Sequence, residues 1–162
     1  MRAATFESSF WVHAVYLEFV EFLLSDFELM CTKSVENESG RDNPTSRRLK
    51  ELLADKSIKR AAPRSEKIKS YGDGERAAIN LALGGKFLLF IDDWRPYEAA
   101  QAAGVEVVNS LAYMVGLYEQ RRITVERALQ ALAKMTRRGT LRPEWIQSAL
   151  RVVAEIRRKG EN

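Results

Sequence analysis

Residues Phe87–Asp93 read FLLFIDD, an apolar run that is followed at once by two aspartates. Five apolar residues without a polar interruption predict a β-strand that is covered on both faces, as in the interior of a parallel sheet. The pattern of Arg76–Leu83 predicts a helix before this strand, with Asp73 as its N-cap and Gly84-Gly85 as its end. This stretch therefore predicts a helix, a buried strand and an acidic strand end, in that order.

Strand and helix alternate on both sides of this stretch. Ala3–Phe6 is predicted to be a buried strand, and the apolar positions from Phe10 to Leu24 predict one amphipathic helix. A second strand at Phe27–Thr32 leads into a helix over Lys33–Glu38. The remaining predictions are a short helix at Arg47–Ala54, an edge strand at Ile58–Ala62 closed by Pro63, a helix at Pro96–Ala103, a strand at Val105–Val108, and helices at Leu111–Gln120, Val125–Lys134 (N-cap Thr124) and Pro143–Arg158.

This order of elements predicts an α/β fold, because strands that are joined through helices form parallel pairs with right-handed crossovers. The expected architecture is a three-layer α/β/α domain with a short, mainly parallel central sheet and a helical C-terminal part. With 162 residues, of which 46% are hydrophobic, the chain suits a single domain over residues 1–162.

The composition excludes several classes of protein. The single Cys and single His exclude an internal disulfide, a zinc site of clustered Cys and His, and a competing nucleophilic triad. The longest apolar stretch, Phe6–Met30, is interrupted by charges and cannot span a bilayer, and the chain does not start like a secretory signal. A cytoplasmic location is therefore expected, and the net charge of +4 mildly favours a polyanionic partner.

Acidic residues follow the predicted strands, where open α/β sheets place their sites. They are Glu7 after the first strand, Glu38 or Glu36 after the second, Glu75 in the helix before the FLLFIDD strand, and Asp92 and Asp93 after it. Carboxylates that converge repel each other unless a cation neutralises them. Mg²⁺ or Mn²⁺ would do so and would support phosphodiester hydrolysis. No glycine-rich phosphate loop is present, because Gly72-Asp73-Gly74 is too short and lacks the lysine.

These segments resemble the PIN domain family, in particular its short branch of predicted nucleic-acid-binding proteins and toxin-like ribonucleases. The similar segments are GERAAINLA at Gly74–Ala82, FLLFIDDWRPYEAAQAAGVEVVNS at Phe87–Ser110 with the helix LAYMVGLYEQRRI after it, ESSFW at Glu7–Trp11 and SVENE at Ser34–Glu38.

The resemblance implies a Mg²⁺- or Mn²⁺-dependent nuclease that acts on RNA, often as the toxin of a toxin–antitoxin pair. An antitoxin protein and a second copy of the chain are then the expected partners besides RNA. By position, Glu7 would be the first acid, Glu38 the second, Glu75 the third, and Asp92 with Asp93 the fourth. Glu7, Glu75 and the aspartate pair would be the metal ligands.

Three positions depart from the family pattern: Glu7 stands where the family has Asp, Tyr97 where this branch has Arg, and Asn109 where the family has Gly. A catalytically lapsed PIN domain that binds RNA or protein is therefore the alternative. Ordinary roles also stay open, namely helix capping for Glu75 or the aspartate pair and simple packing for His13. A weaker third reading takes Val125–Arg158 as a helix-turn-helix for duplex DNA.

Overall fold

The computed structural model describes residues 1–40 and 42–161. It divides into two compact units, Met1–Val108 and Asn109–Asn162. The first unit contains β1 (Arg2–Phe6), α1 (Ser8–Tyr16), α2 (Val20–Asp26), β2 (Phe27–Cys31), α3 (Lys33–Glu38), α4 (Pro44–Ala54), β3 (Ile58–Arg60), α5 (Asp73–Gly85), β4 (Leu88–Phe90), α6 (Trp94–Ala102) and β5 (Val107–Val108). The second contains α7 (Ser110–Glu119), α8 (Val125–Arg138) and α9 (Pro143–Glu161). The single domain over residues 1–162 stays a prediction.

The five strands form one sheet in the order β3-β2-β1-β4-β5, and every neighbouring pair is parallel. The central strand is β1, in which Thr5 stands opposite Met30 of β2 and Leu89 of β4. The predicted α/β class is confirmed, and β3 lies at an edge as expected. All C-terminal ends of the strands therefore point to the same side of the sheet.

Strand β4 is buried on both faces, as its apolar run predicted. Leu89 packs in a cluster with Ile79 of α5 and Ala100 of α6. Phe90 points to the opposite face, because side chains alternate along a strand, and its ring stacks on that of Phe10 with centroids 4.6 Å apart. Packing on both faces fixes β4, and with it the position of the aspartates that follow.

The prediction of one continuous helix from Phe10 to Leu24 is wrong. The structure has two helices, α1 and α2, separated by Glu18, whose φ of 60° lies in the left-handed region. A helix cannot continue through this conformation, which non-glycine residues rarely adopt. The two helices together still bury the predicted apolar positions Leu17, Val20 and Leu23.

The N-cap predicted at Asp73 is also wrong. Gly72 occupies the N-cap position of α5, and Asp73 is the first helical residue. The carboxylate of Asp73 pairs with Arg76, at 2.6 Å between Oδ1 and Nη2, one helical turn further on. An acid in this first turn is stabilised by the helix dipole without capping the helix.

The second unit is a set of three helices that pack on each other. Thr124 caps α8 as predicted, since its hydroxyl accepts a hydrogen bond of 3.2 Å from the amide of Arg127. Pro143 is the first residue of α9, also as predicted. Among the residues that the structure describes, no helix has both the length and the apolar content to span a membrane.

Candidate active site at the carboxyl edge of the sheet

All five predicted acids lie in the first unit, near the C-terminal ends of its strands. Glu7 directly follows β1, and Asp92 and Asp93 stand between β4 and α6. Glu38 is the last residue of α3, and Glu75 lies in the first turn of α5. The parallel sheet thus gathers these acids from four segments of the chain, and burial divides them into two groups.

The Glu7 carboxylate is buried and fully engaged by the protein. It caps α1 by accepting hydrogen bonds from the amides of Ser9 (2.9 Å) and Phe10 (2.6 Å) and from the Ser9 hydroxyl (2.5 Å). It also accepts a hydrogen bond of 3.1 Å from the amide of Asp92. Burial raises the pKa of Glu7 to about 7, although these hydrogen bonds oppose the rise. The residue therefore ties the start of α1 to the end of β4.

Asp92 is buried beside the chain's single histidine. Its Oδ2 lies 2.5 Å from Nδ1 of His13, and the two side chains are 1% and 3% exposed. His13 belongs to α1 and lies 79 residues before Asp92, which follows β4. Glu7, Asp92 and His13 thus form a buried group, which we call the inner group.

Glu38 reaches across from α3 to the start of α5. Its Oε1 accepts a hydrogen bond of 2.9 Å from the amide of Gly74, and its Oε2 accepts one from the hydroxyl of Ser8. A Cβ at position 74 would lie 2.5 Å from Oε1 of Glu38, so only glycine allows this approach. Glu36, the alternative left open by the sequence, instead forms a two-pronged pair with Arg60 that lowers its pKa.

Glu75 shares its surroundings with two other acids. Partial burial raises its pKa, and the charges of Asp93 and Glu38 raise it further. Asp93 occupies the N-cap position of α6, but its side chain accepts no capping hydrogen bond. Glu38, Glu75 and Asp93 thus form a more exposed group of mutually repelling carboxylates, which we call the outer group.

The outer group has the donor chemistry of a site for a hard divalent cation. Its three side chains offer only carboxylate oxygens, which are the ligands that Mg²⁺ and Mn²⁺ favour, and a cation would relieve their repulsion. Within residues 1–40 and 42–161, however, no three His, Cys, Asp or Glu side chains stand close enough to hold an ion as they are. Metal binding therefore requires movement of these side chains. Glu7 is 2% exposed and its oxygens already accept hydrogen bonds from the protein, so its predicted role as a ligand stays a prediction.

The roles of three residues that hold these acids in place were not predicted from the sequence. His13 was interpreted as a packed residue, yet it contacts Asp92 directly. Ser8, at the start of α1, donates a hydrogen bond from its hydroxyl to Glu38. The role of Gly74 depends on the close approach of Glu38, for which a lone glycine in the sequence gives no signal.

The departure at Asn109 also has a structural role, within the second unit. Its Oδ1 accepts a hydrogen bond of 2.8 Å from the amide of Ala112 and so caps α7. In the first unit, Tyr97 is partly buried and packs against the cluster that contains Leu89.

The chain is similar to known proteins in sequence and in structure. A family model for the PIN domain matches residues 16–155, a range that includes Glu38, Glu75, Asp92 and Asp93 but not Glu7. Among solved structures, the chain is similar to a PilT N-terminus domain protein from the hyperthermophilic archaeon Sulfolobus solfataricus P2, with 19% identity and a TM-score of 0.46 over 67% of this chain and 87% of that one. The search of curated proteins returned no match.

Proposed function

The chain belongs to the PIN domain family, and from this premise we propose that it is a metal-dependent ribonuclease that hydrolyses phosphodiester bonds in RNA. The family consists in general of nucleases. The observation that carries the proposal is the outer group, in which the charges of Asp93 and Glu38 raise the pKa of Glu75 at the carboxyl edge of a parallel sheet. A site that gathers negative charge in this way is suited to a divalent cation and a phosphate.

Glu38, Glu75 and Asp93 are the residues that would hold Mg²⁺ or Mn²⁺. When bound, such an ion lowers the pKa of a water molecule and neutralises charge on a phosphodiester. The protein itself positions the acids: Ser8 and the amide of Gly74 fix the carboxylate of Glu38. This leaves the inner group as support for the turn that carries Asp93.

A route for the RNA backbone is offered by the coil between β3 and α5. Arg64, Lys67 and Lys69 are exposed along this coil, which leads directly to the first turn of α5 and to Glu75. Exposed cations of this kind neutralise phosphates and give salt-dependent binding. The coil therefore supports a polyanionic substrate next to the outer group.

The proposal is tested with purified protein and a labelled single-stranded RNA in Mg²⁺ or Mn²⁺, with and without EDTA. Cleavage should require the metal and should fall by at least about 100-fold in Asp93→Asn, which removes a charged ligand. Asp73→Asn is the matched control, because Asp73 is an exposed acid on the same edge that pairs with Arg76 and lies outside the outer group. Equal cleavage by Asp93→Asn, or cleavage in EDTA, would refute the proposal.

The second candidate is a lapsed PIN domain that binds RNA without cleaving it. It is favoured by the Glu7 carboxylate, which stands where the family has Asp and is occupied by four donors. This candidate predicts salt-sensitive RNA binding with no turnover. Cleavage that is gained only in Glu7→Asp would support it over the first.

The narrower expectations remain proposals that rest on the family resemblance. They are a toxin role, an antitoxin protein as partner and a homodimer. Co-expression of the chain with genomic neighbours tests the first two, and light scattering of the purified chain tests the third.

A further inference from the structure

The contact between His13 and Asp92 joins two elements that the sequence keeps far apart. His13 lies on α1 and Asp92 follows β4, with Nδ1 and Oδ2 2.5 Å apart in a site where both side chains are almost fully buried. Burying a carboxylate is costly unless it is hydrogen-bonded or paired. The imidazole therefore offsets the cost of holding Asp92 inside the protein.

Asp92 is held on its backbone as well as on its side chain. Its amide donates a hydrogen bond of 3.1 Å to Glu7, while its carboxylate contacts His13. Both contacts come from the start of the chain, on either side of the first turn of α1. Two such attachments fix the direction in which the chain leaves β4, and the next residue on this path is Asp93.

We propose that His13 is a positioning residue, which fixes Asp92 and through it the turn that presents Asp93 to a divalent metal. The inference rests on the proposed function, and it assigns to the inner group a role that is distinct from holding the ion. Removal of a side chain that supports a metal ligand directly typically changes metal affinity by about 10- to 100-fold. His13 acts on Asp93 through Asp92, so an effect of about 10-fold, at the low end of this range, is expected. A purely packing role predicts no such change, because an apolar side chain would fill the same space.

Three substitutions separate hydrogen bonding from packing at this position. In His13→Asn the amide nitrogen lies as many bonds from Cα as Nδ1 does, so the contact with Asp92 is kept. In His13→Gln the amide is one bond further out, and in His13→Leu the donor is lost. Trp11→Phe is the matched control. Trp11 lies on α1 like His13, and the substitution removes a partly buried hydrogen bond of 3.0 Å to the carbonyl of Thr45 on α4.

The experiment measures Mn²⁺ affinity of the full chain by calorimetry or electron paramagnetic resonance, with thermal unfolding as the check on folding. We expect affinity to fall by about 10-fold in His13→Leu and His13→Gln, and to stay near the wild-type value in His13→Asn and Trp11→Phe. If His13→Leu does not fold, the comparison of His13→Asn with His13→Gln decides. Equal affinity in the Asn variant and in either of the other two would overturn the proposal.

A second readout uses the fact that the chain contains one histidine. Its imidazole signals in the NMR spectrum are therefore unambiguous. Mn²⁺ should broaden these signals in the wild type and should leave them sharp in Asp93→Asn. If the wild type binds Mn²⁺ and cleaves RNA but the His13 signals stay sharp, the positioning role alone is overturned. If the wild type binds no Mn²⁺, the proposed function is overturned as well.

Discussion

Replacement of Glu7 by Gln should change how the stability of the protein depends on pH. Glu7 is 2% exposed, and burial raises the pKa of its carboxyl from 4.5 to about 7. The folded protein therefore binds a proton at this site between pH 4.5 and 7, where the unfolded chain has already released it. Stability must fall as pH rises through this window, because the folded state then binds more protons than the unfolded state.

The size of this effect follows from the same pKa values. One pKa unit corresponds to 1.36 kcal/mol, so the rise to about 7 corresponds to roughly 3 kcal/mol in the free energy of unfolding. Glutamine does not titrate. The stability of Glu7→Gln relative to wild type should therefore improve by roughly 3 kcal/mol between pH 4.5 and 7 and stay level outside this window.

Glutamine also changes the free energy of unfolding by an amount that does not depend on pH. Its amide nitrogen must replace one carboxylate oxygen, and each oxygen accepts a hydrogen bond from a backbone amide, Oε2 from Ser9 and Oε1 from Phe10 and Asp92. A donor would then face a donor, which costs about 1–3 kcal/mol for an unsatisfied buried group. Only the slope with pH, and not the absolute difference, is therefore diagnostic.

The assay is urea unfolding of both proteins from pH 4 to pH 8, because titrating groups that do not interact with Glu7 cancel in the difference. The series is run in EDTA and repeated with Mn²⁺. A difference that does not change with pH in EDTA would refute the raised pKa. A slope that is present in EDTA but vanishes with Mn²⁺ would mean that the ion favours the ionised carboxylate, and would make Glu7 a ligand after all.

Other substitutions test the outer group and the core. Gly74→Ala should displace the Glu38 carboxylate and weaken Mn²⁺ binding, whereas Gly84→Ala on the same helix, where a Cβ meets nothing within 4 Å, should leave binding intact and stabilise the helix by about 0.5–1 kcal/mol in thermal unfolding. Glu38→Gln should weaken Mn²⁺ binding measured by calorimetry, and Glu36→Gln should not; the opposite result would exchange their roles. Leu89→Ala should lower the free energy of unfolding by about 2–5 kcal/mol in urea, and a loss below 1 kcal/mol would contradict the packing of β4.

The sequence was a good guide to the elements because apolar periodicity reports burial directly. FLLFIDD identified β4 and the acidic turn after it, and the alternation of strand and helix predicted the parallel sheet. The break at Glu18 was not predicted, because no glycine or proline marks the residue that adopts the left-handed conformation. Local pattern also placed the N-cap of α5 one residue too late.

The site was predicted only in outline, since periodicity places a residue at an edge without giving the direction of its side chain. The edge position of all five acids follows from the strand order. The preference for Glu38 over Glu36 depends on Arg60 of β3, because its guanidinium pairs with the carboxylate of Glu36. The contact of His13 with Asp92 joins residues 79 apart in sequence, and no local signal predicts it.

Burial decides what each acid at this edge can do. A hard divalent ion keeps several of its waters, so it needs carboxylates that solvent can reach. Glu38 and Asp93 are exposed and Glu75 is partly exposed, whereas Glu7 and Asp92 are almost closed to solvent. If the outer group holds the ion, as we propose, the extra methylene of Glu7 does not decide whether an ion can bind. Glu7 instead connects the start of α1 to the end of β4 through its hydrogen bond with the amide of Asp92, and the position of Asp93 depends on this connection.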